Sequence, residues 1–366
     1  MRVSDEAELA DAVRAAKGPL IVRGGGTRDI GCPVAGAVIE TSGLTGIRLY
    51  EPGALTLVAG AGTPLAEIEA ALASEGQRLA FEPADWSALL GSQGTPTLGG
   101  MVAANASGPR RVQAGACRDS LLGVRFVDGA GTIIKNGGRV MKNVTGYDLA
   151  RLMAGSWGTL GVLSEVSLKV LPAAETSATL VLPGLTVANA VAALSAALSS
   201  PYDITGAAFL PGTGALVRVE GFAGSVAYRA GRLETLLSPH GEVHRAENGA
   251  ALWRQVAEVT PFHGRDGDVW RFSLKPSEAP EVANRLGQQV MLDWGGGLLW
   301  ALMPEGTDAR ALARPYHGHA TLVRAATETR ARLSVFEPEA PAVAAITKGI
   351  RARFDPRGIL NPGRMG

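Results

Sequence analysis

Residues Thr95 to Gly108 read TPTLGGMVAANASG, a stretch of glycine, alanine, threonine and serine without a charged side chain. So little side chain lets a backbone come close to another group, and Gly99-Gly100 are free to take φ > 0 conformations closed to other residues. Asn105 and Ser107 stand where an uncharged hydrogen-bonding edge would be read, and the amides of a glycine turn suit a phosphate or a ring carbonyl. Alone, the stretch fits a tight glycine corner in a core equally well.

A second cluster upstream shifts the balance. It follows the apolar run Pro19 to Val22 and reads RGGGTRDIG from Arg23 to Gly31. Consecutive unhindered amides after a strand form an anion-binding nest, to which Arg23 or Arg28 adds charge. The string is not the G-x-G-x-x-G dinucleotide fingerprint, because counting from Gly24 puts Asp29 at the third glycine, and no glycine-lysine-serine/threonine string supports a P-loop. Two separated glycine clusters point to a long ligand held at both ends, and a dinucleotide such as FAD has that shape.

Composition bounds the rest. The chain has 366 residues, 46% hydrophobic and 19% charged, enough for two or three domains with a sizeable core. Its 35 basic and 34 acidic side chains leave a formal charge of +1, which gives no reason to expect a nucleic acid or an anionic membrane as partner. Cys32 and Cys117 are the only cysteines, too few for a disulfide framework or a cysteine zinc site, and they suggest a reducing compartment. The N-terminus is acidic and amphipathic, and no run of 18 apolar residues could span a bilayer, so a cytoplasmic protein is expected.

Read in order, Ser4 or Asp5 caps a helix through Leu9 and Val13, and Gly18 stops it before a strand at Leu20 to Val22. Strands are expected at Ala37 to Thr41 and Leu55 to Ala59, then a helix to Ser74 with Thr63 as N-cap and Pro64 as first residue. Leu121 to Asp128 and Thr132 to Lys135 read as a hairpin, and Val162 to Val170 alternates as a half-buried strand. From Ser177 to about Arg324, short strands alternate with amphipathic helices such as Val187 to Leu198 and Tyr228 to Leu237, an α+β unit with antiparallel sheet.

Four motifs now stand in order: RGGGTRDIG, TLGGMVAANASG, MKNVTGYDLARLMAGSWGTLGVLSEVSLKV from Met141, and FDPRGILNPG near the end. Together they resemble the FAD-binding family named after vanillyl-alcohol oxidase and para-cresol methylhydroxylase (PCMH), which includes glycolate and D-lactate dehydrogenases. Within it, SGPRR at Ser107 to Arg111 and the third motif are most similar to the FAD-binding E subunits of bacterial glycolate oxidases. The resemblance implies an α+β fold: a PCMH-type FAD-binding domain of two α+β subdomains in residues 1–172, an α+β cap domain with antiparallel sheet in 173–330, and a C-terminal segment, 331–366, that returns to the FAD domain.

Carried over residue by residue, the resemblance implies that Arg23, Gly24, Gly25, Gly26, Thr27 and Gly31 hold the diphosphate. Pro96, Thr97, Leu98, Gly99, Gly100, Ala104, Asn105, Ser107 and Gly108 line the diphosphate and flavin, braced by Arg118 and Asp119. Gly161, Val162 and Leu163 face the ribose or adenine, and Asn361 approaches the flavin ring. For Arg118 and Asp119 the alternative is a structural ion pair; for Arg110 and Arg111 the choice lies between a substrate-carboxylate clamp and a solvated or interface face.

Departures from the family pattern also speak. Covalent flavin binding commonly uses a histidine in the first loop, where this chain has Thr27 and Arg28, so FAD is expected to be non-covalent. The chain has five histidines, of which His317 and His319 are the close pair; without a third ligand in sequence, no metal is expected. No catalytic residue is identifiable: no histidine lies between Met1 and Pro239, and Tyr147 reads as a packed core hydroxyl. Two cysteines cannot carry a cluster that needs about four.

The expected function is that of an FAD-binding subunit of a glycolate (2-hydroxyacid) dehydrogenase complex. It would work with a homologous catalytic FAD subunit and an iron–sulfur subunit on a small 2-hydroxyacid, any membrane association running through partner subunits. The alternatives are a self-sufficient 2-hydroxyacid dehydrogenase of the D-lactate type and a non-catalytic assembly subunit with a vestigial FAD pocket.

Overall fold

The Asp5 side chain accepts a hydrogen bond from the Glu8 N–H at 2.8 Å and so starts the helix Glu6–Ala15. Its apolar positions Leu9, Ala10 and Val13 are fully buried against Leu20, Ile39, Val127 and Val162. Strands β1 (Leu20–Arg23) and β2 (Ala37–Glu40) pair in parallel. The computed structural model describes residues 1–139, 146–287 and 289–366.

Strands β3 (Ile47–Glu51) and β4 (Thr56–Gly60) come next, then the helix Leu65–Ser74, the short β5 (Gln77–Arg78) and the helix Leu98–Ala104. Then follow β6 (Leu121–Val127), β7 (Ile133–Gly137), β8 (Val162–Lys169) and β9 (Leu171–Pro172). Five of these strands make an antiparallel sheet in the order β3-β4-β8-β6-β7, and β5 pairs with β9. The expected hairpin is β6–β7. One local expectation fails. Pro64, not Thr63, is the N-cap of the second helix, because the Thr63 hydroxyl turns back to donate to the Gly60 carbonyl at 2.7 Å. Gly99 and Gly100 do not take φ > 0; they belong to the first turn of Leu98–Ala104, where Thr97 caps by accepting from the Gly100 N–H at 3.3 Å.

The second sheet is larger. Strands β10 (Thr176–Leu182), β11 (Gly206–Leu210), β12 (Gly214–Gly221), β13 (His244–Arg245), β14 (Asp268–Leu274), β15 (Val290–Asp293), β16 (Leu298–Met303) and β17 (Gly318–Arg324) form eight strands. Their order is β13-β10-β12-β11-β15-β16-β14-β17, all antiparallel. Alternation on β12 sorts its two faces. Ala215, Val217 and Val219 pack with Leu194 and Leu233 of the helices Val187–Leu198 and Ala223–Leu237. Arg218 and Glu220 point the other way, to Glu82, Arg78 and Arg110 of the N-terminal half.

The tail closes the N-terminal half. After the helix Pro341–Phe354, Leu20 N–H donates to Ile359 O at 2.7 Å and Asn361 N–H to Leu20 O at 2.9 Å, with Ile359 and Leu360 buried against the first helix.

Candidate functional site

A cavity of about 820 Å³ opens between β1, the helix Leu98–Ala104, the start of β8 and the tail. One wall is the loop Gly24 to Thr27, whose first residues follow β1 directly. Among the described residues, the N–H groups of Gly25, Gly26 and Thr27 reach no protein acceptor, so they remain available to an anion in the cavity. The loop lies backbone to backbone on a second glycine turn. A Cβ at Gly25 would fall 1.6 Å from Thr95 O, and one at Gly94 1.7 Å from Gly25 O, so neither position admits a side chain.

The helix Leu98–Ala104 shows why the glycine pair is paired. A Cβ on Gly99 would meet the Ala61 Cβ at 2.7 Å, so this glycine allows close packing on the sheet. A Cβ on Gly100 would have only Thr97 Oγ1 within 4 Å, at 3.1 Å, because that side of the helix faces the cavity. The cradle is thus one that a side chain would fill, and it fits a ligand with an extended, flat or phosphorylated body such as FAD.

Charge at this end is positive. Arg23, Arg28 and Arg364 line the cavity. Arg364 also donates to Asp29 Oδ1 at 2.8 Å, and Arg28 donates to the Ala84 carbonyl while its guanidinium carbon lies 5.4 Å from the Trp86 ring centre. Burial lowers the Arg28 pKa to about 10, which still leaves it charged at neutral pH. Gly161, Val162 and Leu163 also line the cavity, with Trp157 in a left-handed conformation (φ +52°) packed 5.6 Å from Phe336. Asn361 ties β1 to the Trp157 turn: its Oδ1 accepts from Val22 N–H at 2.9 Å and its Nδ2 donates to Trp157 O at 2.8 Å.

The residues singled out from the sequence therefore divide. Arg23, Gly24, Gly25, Gly26, Thr27, Thr97, Gly99, Gly100, Gly161, Val162, Leu163 and Asn361 come together around the cavity. Gly31, Pro96 and Leu98 stand behind it: Cys32 N–H donates to Arg364 O, Pro96 O accepts from Leu65 N–H, and Leu98 is fully buried. Ala104, Asn105, Ser107, Gly108, Arg118 and Asp119 lie at the opposite end of the helix, outside the cavity lining. There Asn105 Oδ1 accepts from Arg118 N–H at 3.0 Å, Ser107 Oγ from Cys117 N–H at 2.9 Å and Asp119 Oδ2 from Ala116 N–H at 2.9 Å. Asn105 and Ser107 thus spend their polar edges on the 116–119 turn, while the Arg118–Asp119 pair, 4.0 Å apart, is exposed.

Other expectations change more. Residues 140–145, most of the string MKNVTG, lie outside the described residues. Tyr147 is 87% exposed and is not a core hydroxyl. His317 holds Glu278 through Nδ1 at 2.5 Å, and among the described residues no three histidine, cysteine, aspartate or glutamate side chains gather to hold a metal ion. Arg110 is not free for a ligand: it donates to Glu220 at 2.9 and 2.7 Å and pairs with Glu82 at 3.1 Å. Sequence reading missed Trp157 and Arg364 as cavity residues; the basic position three after Asn361 was the available signal for the latter.

Comparison with known proteins agrees with this geometry. The family described as "FAD binding domain" matches residues 1–137. The glycolate oxidase subunit GlcE of Escherichia coli (strain K12) is 38% identical over 352 residues, covering 95% of this chain and 93% of that protein. The glycolate oxidase subunit GlcD of Bacillus subtilis is 33% identical over 53% of this chain and 39% of its own length. A D-lactate dehydrogenase of Archaeoglobus fulgidus is 33% identical over 47% of this chain and 38% of its own. Among solved structures, an alkyldihydroxyacetonephosphate synthase superposes with a TM-score of 0.71 over 99% of this chain and 76% of its own, at 16% identity, a likeness of fold.

Proposed function

The chain belongs to the family of the glycolate oxidase subunit GlcE, and on that premise we propose that it is the FAD-binding subunit of a glycolate (2-hydroxyacid) dehydrogenase complex. It is an FAD-dependent oxidoreductase. In the proposed reading it takes part in oxidising glycolate to glyoxylate and passes the electrons to an iron–sulfur subunit, beside a homologous catalytic flavin subunit. The observation that carries this is the near full-length likeness to GlcE combined with a cradle that a Cβ at Gly100 would fill. Residues 1–172 and 331–366 would hold the cofactor, and 173–330 would cover it.

When bound, FAD supplies the capacity to accept a hydride and release electrons singly. The protein's contribution is to bind, orient and exclude water. The amides of Gly25, Gly26 and Thr27 would take the diphosphate, with Arg23 and Arg364 supplying charge at the same end of the cavity. Asn361 fixes the distance between the walls, because its amide bonds both Val22 and Trp157. Among the described residues no helix is long and apolar enough to cross a membrane.

The test is purification from the native cell followed by assay of the isolated chain and of the assembled complex with glycolate and a dye acceptor. Copurification of a second flavoprotein and an iron–sulfur protein, with turnover at least tenfold higher in the complex, is the expected result. A chain that purifies alone and turns glycolate over at the full rate overturns the subunit assignment.

A further inference from the structure

Nearly every buried arginine in this chain has an evident partner. Arg218 donates to Glu82, Arg310 to Glu337, and Arg324 to backbone carbonyls. Arg111 and Arg271 differ. Among the described residues neither guanidinium takes part in an ion pair within 4.0 Å, and Arg271 Nε is buried without an acceptor. They come from opposite halves of the molecule, Arg111 from the short helix after the glycine stretch and Arg271 from β14.

Both approach the same indole. The Arg111 guanidinium carbon lies 4.4 Å and that of Arg271 5.2 Å from the Trp294 ring centre. Trp300, opposite Arg271 in the β14–β16 register, adds a second ring at 5.8 Å. His319 stands opposite Ser273, two residues along β14 from Arg271, and therefore shares its sheet face. Burial first, and then the charges of Arg271 and Arg111, hold the His319 imidazole below its ordinary pKa, as expected of one neighbourhood.

Asp119 near Arg111 and Asp293 near Arg271 are the acids whose charge reaches the two cations, and among the described residues neither forms an ion pair with them within 4.0 Å. Asp293 is buried, accepts from the Trp294 N–H at 2.7 Å, and is pushed up by burial from the ordinary carboxylate range. Asp119, the acid near Arg111, accepts from Ala116 N–H. Aromatic faces offset part of the cost of two neighbouring desolvated cations, but an anion between them offsets far more. Guanidinium forks match the planar geometry of a carboxylate.

We propose that Arg111 and Arg271, held over Trp294, form a binding site in this chain for the carboxylate of a small 2-hydroxyacid or its 2-oxo product. The inference rests on the reading of the chain as a 2-hydroxyacid dehydrogenase subunit and adds that the acid binds here, not solely on a partner. Arg110, next in sequence, has no share in it because Glu82 and Glu220 hold it.

The experiment titrates the full-length chain with oxalate, a non-reacting carboxylate probe, and follows tryptophan fluorescence, with inorganic phosphate as the competing anion. Flavin content and melting temperature are measured alongside for wild type, Arg271→Met and Arg111→Gln. The expected result is saturable quenching by oxalate that weakens at least tenfold in each variant, with flavin content unchanged and Arg271→Met melting no lower than wild type. Wild-type protein without a saturable response, variants that bind oxalate as wild type does, or phosphate binding as tightly as oxalate would each overturn the site. A large loss of melting temperature in Arg271→Met would also overturn it, by making that arginine a structural element. Because the readout is tryptophan, a chain found to lack flavin would count against the proposed function and leave the oxalate result to stand on its own.

Discussion

At the scale of single residues, Gly99 and Gly100 are neighbours with different duties. A side chain at Gly99 runs into Ala61, so Gly99→Val is expected to cost about 1–3 kcal/mol through overpacking and to lower the melting temperature. A side chain at Gly100 has open cavity before it, so Gly100→Val is expected to leave the melting temperature nearly intact and to empty the protein of flavin. Flavin absorbance per chain beside a thermal melt separates the two, and a Gly100→Val protein with full flavin would remove FAD from this cavity. Thr27, 4% exposed in the first loop, has no chemistry for a bond to a flavin methyl group. Acid precipitation is therefore expected to leave yellow flavin in the supernatant, and a fluorescent protein band on a denaturing gel would contradict this. These assignments were half legible in sequence. The glycine composition announced a close approach, but a helix and a turn of equal composition look alike until the neighbours of each Cβ are known.

At the scale of elements, β12 is fastened to the N-terminal half by buried charge. Glu220 accepts from Arg78 and Arg110, and Arg218 donates to Glu82, all across the boundary between the two sheets. Burial alone would raise the Glu220 pKa, but the Arg110 hydrogen bond and the charges of Arg218, Arg110 and Arg78 bring it from 4.5 down to about 2. A carboxylate with a depressed folded-state pKa contributes stability that is complete above its unfolded value and is lost as pH falls through the folded one. Glu220→Gln leaves buried arginines uncompensated and is expected to cost about 3–5 kcal/mol at pH 7. The gap between wild type and variant should shrink as pH falls from about 4.5 to 2. Urea unfolding across that range checks both statements, and a gap that stays constant down to pH 2 would mean that Glu220 is not held ionised by this network. Nothing local in the sequence marked the polar face of β12 as a fastening.

At the scale of the whole molecule, the last residues of the chain complete a cavity begun by the first. Asn361 bonds Val22, 339 residues away, and Trp157, 204 residues away, while its own backbone is left-handed at φ +44°. Asn361→Gly keeps that backbone accessible and removes both side-chain bonds, leaving Val22 N–H and Trp157 O without partners. About 1–3 kcal/mol for each orphaned group is expected, with weaker flavin retention, measurable by denaturant unfolding and by flavin release on dilution. Unchanged stability would mean that the walls of the cavity do not depend on the tail.

What the sequence determined by itself is what neighbours in the chain decide: a helix start capped at Ser4 or Asp5, the β6–β7 hairpin, the helix Val187–Leu198 and the two glycine clusters. Each depends on residues within a few positions, where spacing and residue type carry the information. Tertiary structure alone decided which arginine is engaged and which is free. Arg110 and Arg111 are adjacent and alike in sequence, but one meets Glu220, 110 residues away, and the other meets Trp294. Their side chains leave the helix start in different directions, and only the approach of β12 on one side and of Trp294 on the other gives them different partners. Long-range pairing is set by which faces pack together, and no local pattern records that choice.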